Sequence, residues 1–293
     1  MLLVGDNPFH GISHLSQRRS REREQSIERS EYAAKLVASS LENGADGFMF
    51  SVSDTTLSIV DAIVERAPKK FSLFALVPYA YDYVRLATRV GGVSGLARRM
   101  IKDILFSFNV KAVYSGIKGV ARSDIAALLQ TYIYYELSRV KSAAGDKAKL
   151  EGIFLHELIT EIALSLDLDW VMTSYVKFLL RKKLIPGFET RNFAFLVKKF
   201  EEWDIDFRDV LIAAPFNSVG FQMNPSRVAC EKALAGLPAN SVIAMSVLAA
   251  GYVNLPEAAR YLKTLRNLAG VVVGVSKETH AKETFHLLGS SLL

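Results

Sequence analysis

The chain is expected to fold as an α/β protein, a (β/α)8 TIM barrel forming one domain over residues 1–293. Three observations predict it. Short apolar runs alternate with amphipathic stretches from one end of the chain to the other, giving eight strand-like segments. Several runs are continuously apolar rather than alternating, as parallel strands covered on both faces are. The 293 residues, 50% of them hydrophobic, suffice for one large core of the size usual for this barrel. An open doubly wound sheet is the alternative arrangement of the same elements, and two domains the alternative organisation.

Residues 2–4 form strand one, followed by the turn-rich Gly5-Asp-Asn-Pro-Phe-His-Gly11. The mixed-charge stretch 18–29 reads as a solvated helical face. It leads into a helix over 31–42, where Tyr32, Leu36 and Val37 recur at helical spacing and Asn43-Gly44 supplies the stop. Residues 47–52 are strand two. Asp54 is placed to cap the next helix, whose Ile59, Val60, Ile63 and Val64 repeat at three and four residues until Pro68 ends it. Strand three, 71–77, is apolar except for one serine and is stopped by Pro78.

Between strands three and four the rhythm breaks. Residues 80–149 are too many for one crossover helix, and are read as a helical insertion that covers the site or joins copies of the chain in a homo-oligomer. Tyr132, Tyr134 and Tyr135 within it recur as a packing stripe. Strand four is Gly152-Ile-Phe-Leu-His-Glu157, and a long helix over 161–182 follows, its end at Arg181-Lys-Lys183 suited to a helix C-terminus. Strand five, 185–191, contains Pro186 and Gly187, which are unusual inside a strand, and Asn192 is placed to cap a helix over 193–203. Strands six and seven, 210–214 and 241–247, are separated by a helix opened by Pro225-Ser226. A helix over 256–265, strand eight over 270–275 and a closing helix over 279–288 complete the repeat.

Composition narrows the function. The lone Cys230 excludes a disulfide framework within the chain and any multi-cysteine metal centre, and fits a reducing, cytoplasmic setting. The start, Met1-Leu-Leu-Val, lacks the basic and apolar regions of a secretion signal, and no uncharged stretch is both long and apolar enough to span a bilayer. The net charge of +6 is scattered among acids rather than gathered in a basic, aromatic-studded stripe. Neither nucleic acid nor a membrane is therefore expected as a partner, and a small-molecule substrate is.

In such a barrel the chemistry lies where the strands end. Loop one offers Asp6, Asn7, His10 and His14; loop two Ser51, Ser53 and Asp54; loop three Tyr79, Tyr81 and Asp82. Loop four offers His156 and Glu157, loop five Glu189, Thr190, Arg191 and Asn192, and loop six Asn217 and Gln222. His156, Glu157, Tyr79 and Glu189 are the candidate catalytic groups, since imidazole and carboxyl groups carry protons near neutral pH. Asp6, Asn7, His10, Asn192 and Asn217 are candidates for holding the substrate. A divalent metal on His10, His14, His156 and Glu189 is the alternative use of the same set, which would make a hydrolase or lyase. A barrel that binds a ligand without catalysis is the third reading. Beyond strands seven and eight, Gly251, Ser276, Lys277 and Thr279 supply backbone N–H groups, hydroxyls and an ammonium to a helix start, a combination that holds phosphate. Ser276 with Glu278 or Thr279 can equally form a capping box. His280 and His286 are expected to take ordinary surface or half-buried positions on the closing helix.

The second half of the chain resembles the aldo/keto reductase superfamily. Phe154-Leu-His156 looks like that family's strand-four histidine, and Gly187-Phe-Glu-Thr-Arg-Asn192 resembles its Gly-Val-Ser-Asn segment after strand five. Met245-Ser-Val-Leu-Ala-Ala-Gly251 is similar to the Ser-Pro-Leu-x-x-Gly of strand seven, and Val273-Gly-Val-Ser276 with Glu283 resembles the phosphate-binding end of strand eight. The resemblance implies a barrel that binds NADP or NAD in extended form and reduces carbonyls with a tyrosine acid assisted by lysine, aspartate and histidine. His156 is the one member of that set with a counterpart here. Met49 to Ser51 stands at the aspartate's place, residues 54–58 contain no tyrosine, strand three ends in Val77-Pro78 without a lysine, and no N-terminal hairpin precedes strand one. Tyr79 is the candidate to replace the missing acid. The leading expectation is an NAD(P)-dependent oxidoreductase with a non-standard catalytic set, acting on a small carbonyl or phosphorylated metabolite.

Overall fold

The computed structural model describes residues 1–10, 30–78, 125–238 and 240–292. Among them eight strands pair in chain order, every pair parallel: β1 (Leu2–Gly5), β2 (Gly47–Ser51), β3 (Phe71–Val77), β4 (Ala148–Leu155), β5 (Ile185–Glu189), β6 (Leu211–Pro215), β7 (Val242–Met245) and β8 (Leu268–Gly274). β8 pairs back onto β1 and closes the barrel. The helices are α1 (Ser30–Glu42), α2 (Asp54–Arg66), α3 (Ile125–Ala144), α4 (Glu157–Ser165), α5 (Asp169–Arg181), α6 (Phe193–Glu202), α7 (Arg227–Ala235), α8 (Leu255–Thr264) and α9 (Glu278–Leu292).

The strand runs are apolar on both faces because each face has a core of its own. Leu3, Met49, Phe74, Phe154, Leu211 and Ile243 pack together inside the barrel. The residues between them in sequence, such as Val4, Phe48, Ile153, Phe188 and Ile212, pack outward under the helices. β5 shows how the interior is filled. A Cβ placed on Gly187 would lie 2.3 Å from Cγ of the Phe154 ring, so the ring of one strand occupies the space its neighbour leaves bare. Pro186 lies before the β5–β6 pairing begins at Gly187, which is why a proline is tolerated there. The buried Tyr175 hydroxyl on α5 sits 2.5 Å from the Ile153 carbonyl and 3.1 Å from that of Gly187, one donor shared between β4 and β5.

Several boundaries differ from the expectation. The single helix over 161–182 is two, α4 and α5, broken where Asp167 takes a left-handed φ of 56°. Aspartate tolerates that conformation, and here its carboxylate also accepts from Lys199 and Trp203 at 2.9 and 3.1 Å. Ser53, not Asp54, caps α2, in a reciprocal box with Thr56. β4 begins at Ala148 and ends at Leu155, leaving His156 as the N-cap of α4. Of the expected insertion, α3 packs against α2, α5 and β4 as the crossover helix between strands three and four. Its Tyr134 meets Phe178 edge to face at 4.9 Å. Residues 79–124 lie outside the described residues, and with them Tyr79, Tyr81 and Asp82. No helix among the described residues is long and apolar enough to cross a membrane.

Candidate active site

The site follows from the two-residue period of a strand. Phe154 and Gly187 face the barrel interior, so His156 and Glu189, each two residues further on, face the same way at its C-terminal mouth. His156 keeps the strand's direction beyond β4 through an extended backbone (φ −58°, ψ 148°) and an N–H donated to the Val77 carbonyl at 2.9 Å. Glu189 is the last residue of β5, held in register opposite Ala213 of β6.

Each group's protonation has a physical cause. His156 Nδ1 accepts the Leu158 N–H at 3.2 Å, so the neutral ring carries its proton on Nε2 and presents a donor there. Burial holds the imidazole below its ordinary value; the Glu157 carboxylate opposes this, the Arg191 guanidinium adds to it, and Asp6 opposes it. At neutral pH the ring is therefore uncharged. Glu189 moves the other way. Its carboxyl is pushed up to about 7, first by burial and then by the Glu157 carboxylate. The Glu157 backbone N–H, which donates to Glu189 Oε2 at 3.3 Å, and the Arg191 guanidinium pull it down, while Asp6 adds a small rise. A carboxyl titrating near 7 gives and takes a proton at neutral pH.

Asp6, Glu157 and Arg191 surround this pair. Asp6 is buried after β1 and accepts the Ser51 N–H at 2.6 Å, tying the first loop to the end of β2. Glu157 Oε2 lies 2.6 Å from Arg191 Nε, both atoms buried, with the N–H not aimed at the oxygen; the contact is an ion pair rather than a hydrogen bond. Glu157 is thus engaged by Arg191, and Glu189 is the carboxyl at the mouth with the titration suited to proton transfer.

The remaining candidates divide. Asn192 occupies the N-cap position of α6 but makes no side-chain cap bond: its amide nitrogen instead donates to Glu161 Oε2 at 2.6 Å. Asn217 is fully buried, braces its own loop and ties it to the loop after β7, with Nδ2 donating to the Phe221 and Ser246 carbonyls and Oδ1 accepting the Phe221 N–H. Its amide N–H groups and its oxygen thus all pair within the protein. Asn7 is exposed in a single 3-10 turn after β1, while the His10 side chain and all of His14 fall outside the described residues. Gly251, at φ 93°, closes a loop in which Ser246, Ala249 and Ala250 are also left-handed, and its N–H already donates to the Leu248 carbonyl at 2.7 Å. Ser276 is half-buried, and Lys277 and Thr279 are exposed, around the start of α9; His280 and His286 are exposed on that helix. Among the described residues no three His, Cys, Asp or Glu side chains converge as metal ligands.

Glu161 is a site residue that the reading of strand ends misses. It lies on α4 one turn beyond Glu157, and its two carboxylate oxygens accept from Thr190, Arg191 and Asn192. The clue available was the Glu157/Glu161 spacing, which puts both acids on one face of a helix that starts at a strand end.

No family model and no curated protein sequence matches the chain. Two solved structures, each provisionally described as an aldo-keto reductase from Pseudomonas aeruginosa, match its fold. One aligns over 100% of this chain and 91% of its own with a TM-score of 0.57, the other over 100% and 90% with 0.56, each at 12% sequence identity. At that identity the likeness shows a shared barrel fold and not a shared reaction.

Proposed function

We propose that the chain is an enzyme that interconverts a small carbonyl compound and its alcohol at the barrel mouth, with His156 and Glu189 handling the proton. The observation that carries the proposal is their placement: a neutral imidazole one residue beyond β4 and a carboxyl pushed up to about 7 at the end of β5, the strand paired with β4. In the reducing direction His156 Nε2–H donates to the carbonyl oxygen and draws negative charge onto it. The protonated Glu189 carboxyl then delivers its proton to that oxygen, giving the hydroxyl and leaving a carboxylate close to Arg191. Asp6 forms the facing wall. The shared fold with structures described as aldo-keto reductases supports the reaction class.

When bound, NADPH or NADH supplies the hydride that the carbonyl carbon gains. The residues around the start of α9 offer donors suited to its phosphates: Ser276 and Lys277 just before the helix and Thr279 in its first turn carry two hydroxyls and an ammonium at an end whose dipole favours an anion. Gly251 is exposed but does not offer its N–H, which the loop uses. Titration with NADPH and with NADH, followed by nicotinamide fluorescence, should give saturable binding to one or both, weakened about tenfold or more by Lys277→Glu. Absence of saturation with either would overturn the cofactor assignment while leaving the acid–base pair to its own test.

A further inference from the structure

We propose that Glu161 is a positioning residue for the acid–base pair: from α4 it grips the three residues that follow β5 and thereby holds the Arg191 guanidinium against Glu157. The inference rests on the reading of His156 and Glu189 as proton carriers, but its geometry stands by itself.

Glu161 Oε1 accepts the Thr190 hydroxyl at 2.7 Å and the Arg191 backbone N–H at 3.1 Å, and Oε2 accepts the Asn192 amide at 2.6 Å. Thr190 is fully buried, and its hydroxyl oxygen in turn accepts the Asn192 N–H at 2.9 Å. Both carboxylate oxygens and three consecutive residues are therefore locked in one cluster of charge-assisted bonds, which are shorter and stronger than neutral ones. The backbone that this cluster fixes is the one from which Arg191 reaches Glu157 Oε2, 2.6 Å from its Nε.

Arg191 is where the grip meets the chemistry. Its charge lowers the titration of both His156 and Glu189, whereas Glu157 and Asp6, the other charged groups acting on the pair, raise both. If the 190–192 segment loosens, Arg191 leaves Glu157 and the two remaining acids act on the pair unopposed. Both titrations then move up. Losing the negative charge of Glu161 would by itself move them down, so the sign separates release of Arg191 from a direct charge effect.

The test is an NMR titration of protein carrying labelled glutamate and histidine, with the Glu189 carboxyl assigned by its loss in Glu189→Gln and the His156 ring by its loss in His156→Gln. In Glu161→Gln the Glu189 midpoint should rise from about 7 by about half a unit to one unit, the low end of what one neighbouring opposite charge does. The His156 midpoint should rise with it. Arg191→Met should give the same shifts, and the double variant Glu161→Gln/Arg191→Met should add nothing further. A folded Glu161→Gln protein with both midpoints unmoved, or shifts that simply sum in the double variant, would overturn the proposal, because a residue that merely stabilises the loop leaves the titrations in place. Should Glu161→Gln fail to fold, Glu161→Asp carries the same expectation, since it keeps the charge but is one methylene too short to reach Thr190 and Asn192 together. A wild-type Glu189 midpoint in the ordinary carboxylate range would instead refute the acid–base reading itself, so the two failures are distinguishable.

Discussion

Glu189 is a residue whose chemistry is set against its stability. The folded protein holds the carboxyl proton more tightly than the unfolded chain does, with a midpoint of about 7 against 4.5. The protein therefore loses stability as pH rises across that interval, by about 3 kcal/mol once Glu189 is fully ionised. His156 has the opposite sign: a depressed imidazole removes stability as pH falls through 6.5 and below. Glu189→Gln keeps an acceptor for the Glu157 N–H and removes the buried charge. It should unfold about 5 °C higher than wild type at pH 8 and almost together with it at pH 4.5, measured by thermal denaturation. At this scale the sequence was partly informative. His156 and Glu189 were legible because an inward, strand-terminal polar residue breaks an apolar run. The partners of Asn217 and Asn192, the Phe221 and Ser246 carbonyls and the Glu161 carboxylate, were not legible, because a side-chain amide can pair with backbone, carboxylate or substrate and only the folded chain shows which it meets.

The elements were legible wherever an apolar period met a turn residue, as at Asn43-Gly44, Pro78 and Pro225-Ser226. The break between α4 and α5 was not, because Ser165-Leu-Asp-Leu-Asp169 holds no glycine or proline and the turn depends on Asp167 meeting Lys199 and Trp203 from α6 and its C-terminal end. β5 looked weak for the reason that makes it fit: Gly187 is bare so that Phe154 can fill the barrel. Gly187→Ala should destabilise the protein by about 3 kcal/mol through overpacking, visible as a lower urea midpoint. Phe154→Leu in the same chain should recover part of the loss, since a smaller side chain vacates the space. If Gly187→Ala proves neutral, the Phe154 ring does not sit over Gly187.

For the molecule as a whole, closure of the barrel does what no local stretch can. It brings Asp6 from the first strand's loop to within electrostatic reach of His156 and Glu189, some 150 to 183 residues later in the chain, and surrounds them with enough protein to move their titrations. The fold could be read from rhythm alone, and its likeness to solved barrels at 12% identity shows how little of the sequence that rhythm requires. The site could be read only as a list of strand ends, because the distances among them belong to the closed barrel. The most direct measurement is a carbon-13 titration of the Glu189 carboxyl in native protein and again in concentrated urea. A native midpoint near 7 that returns to about 4.5 in urea is expected. A midpoint near 4.5 in both would contradict the assignment of Glu189 as the proton carrier.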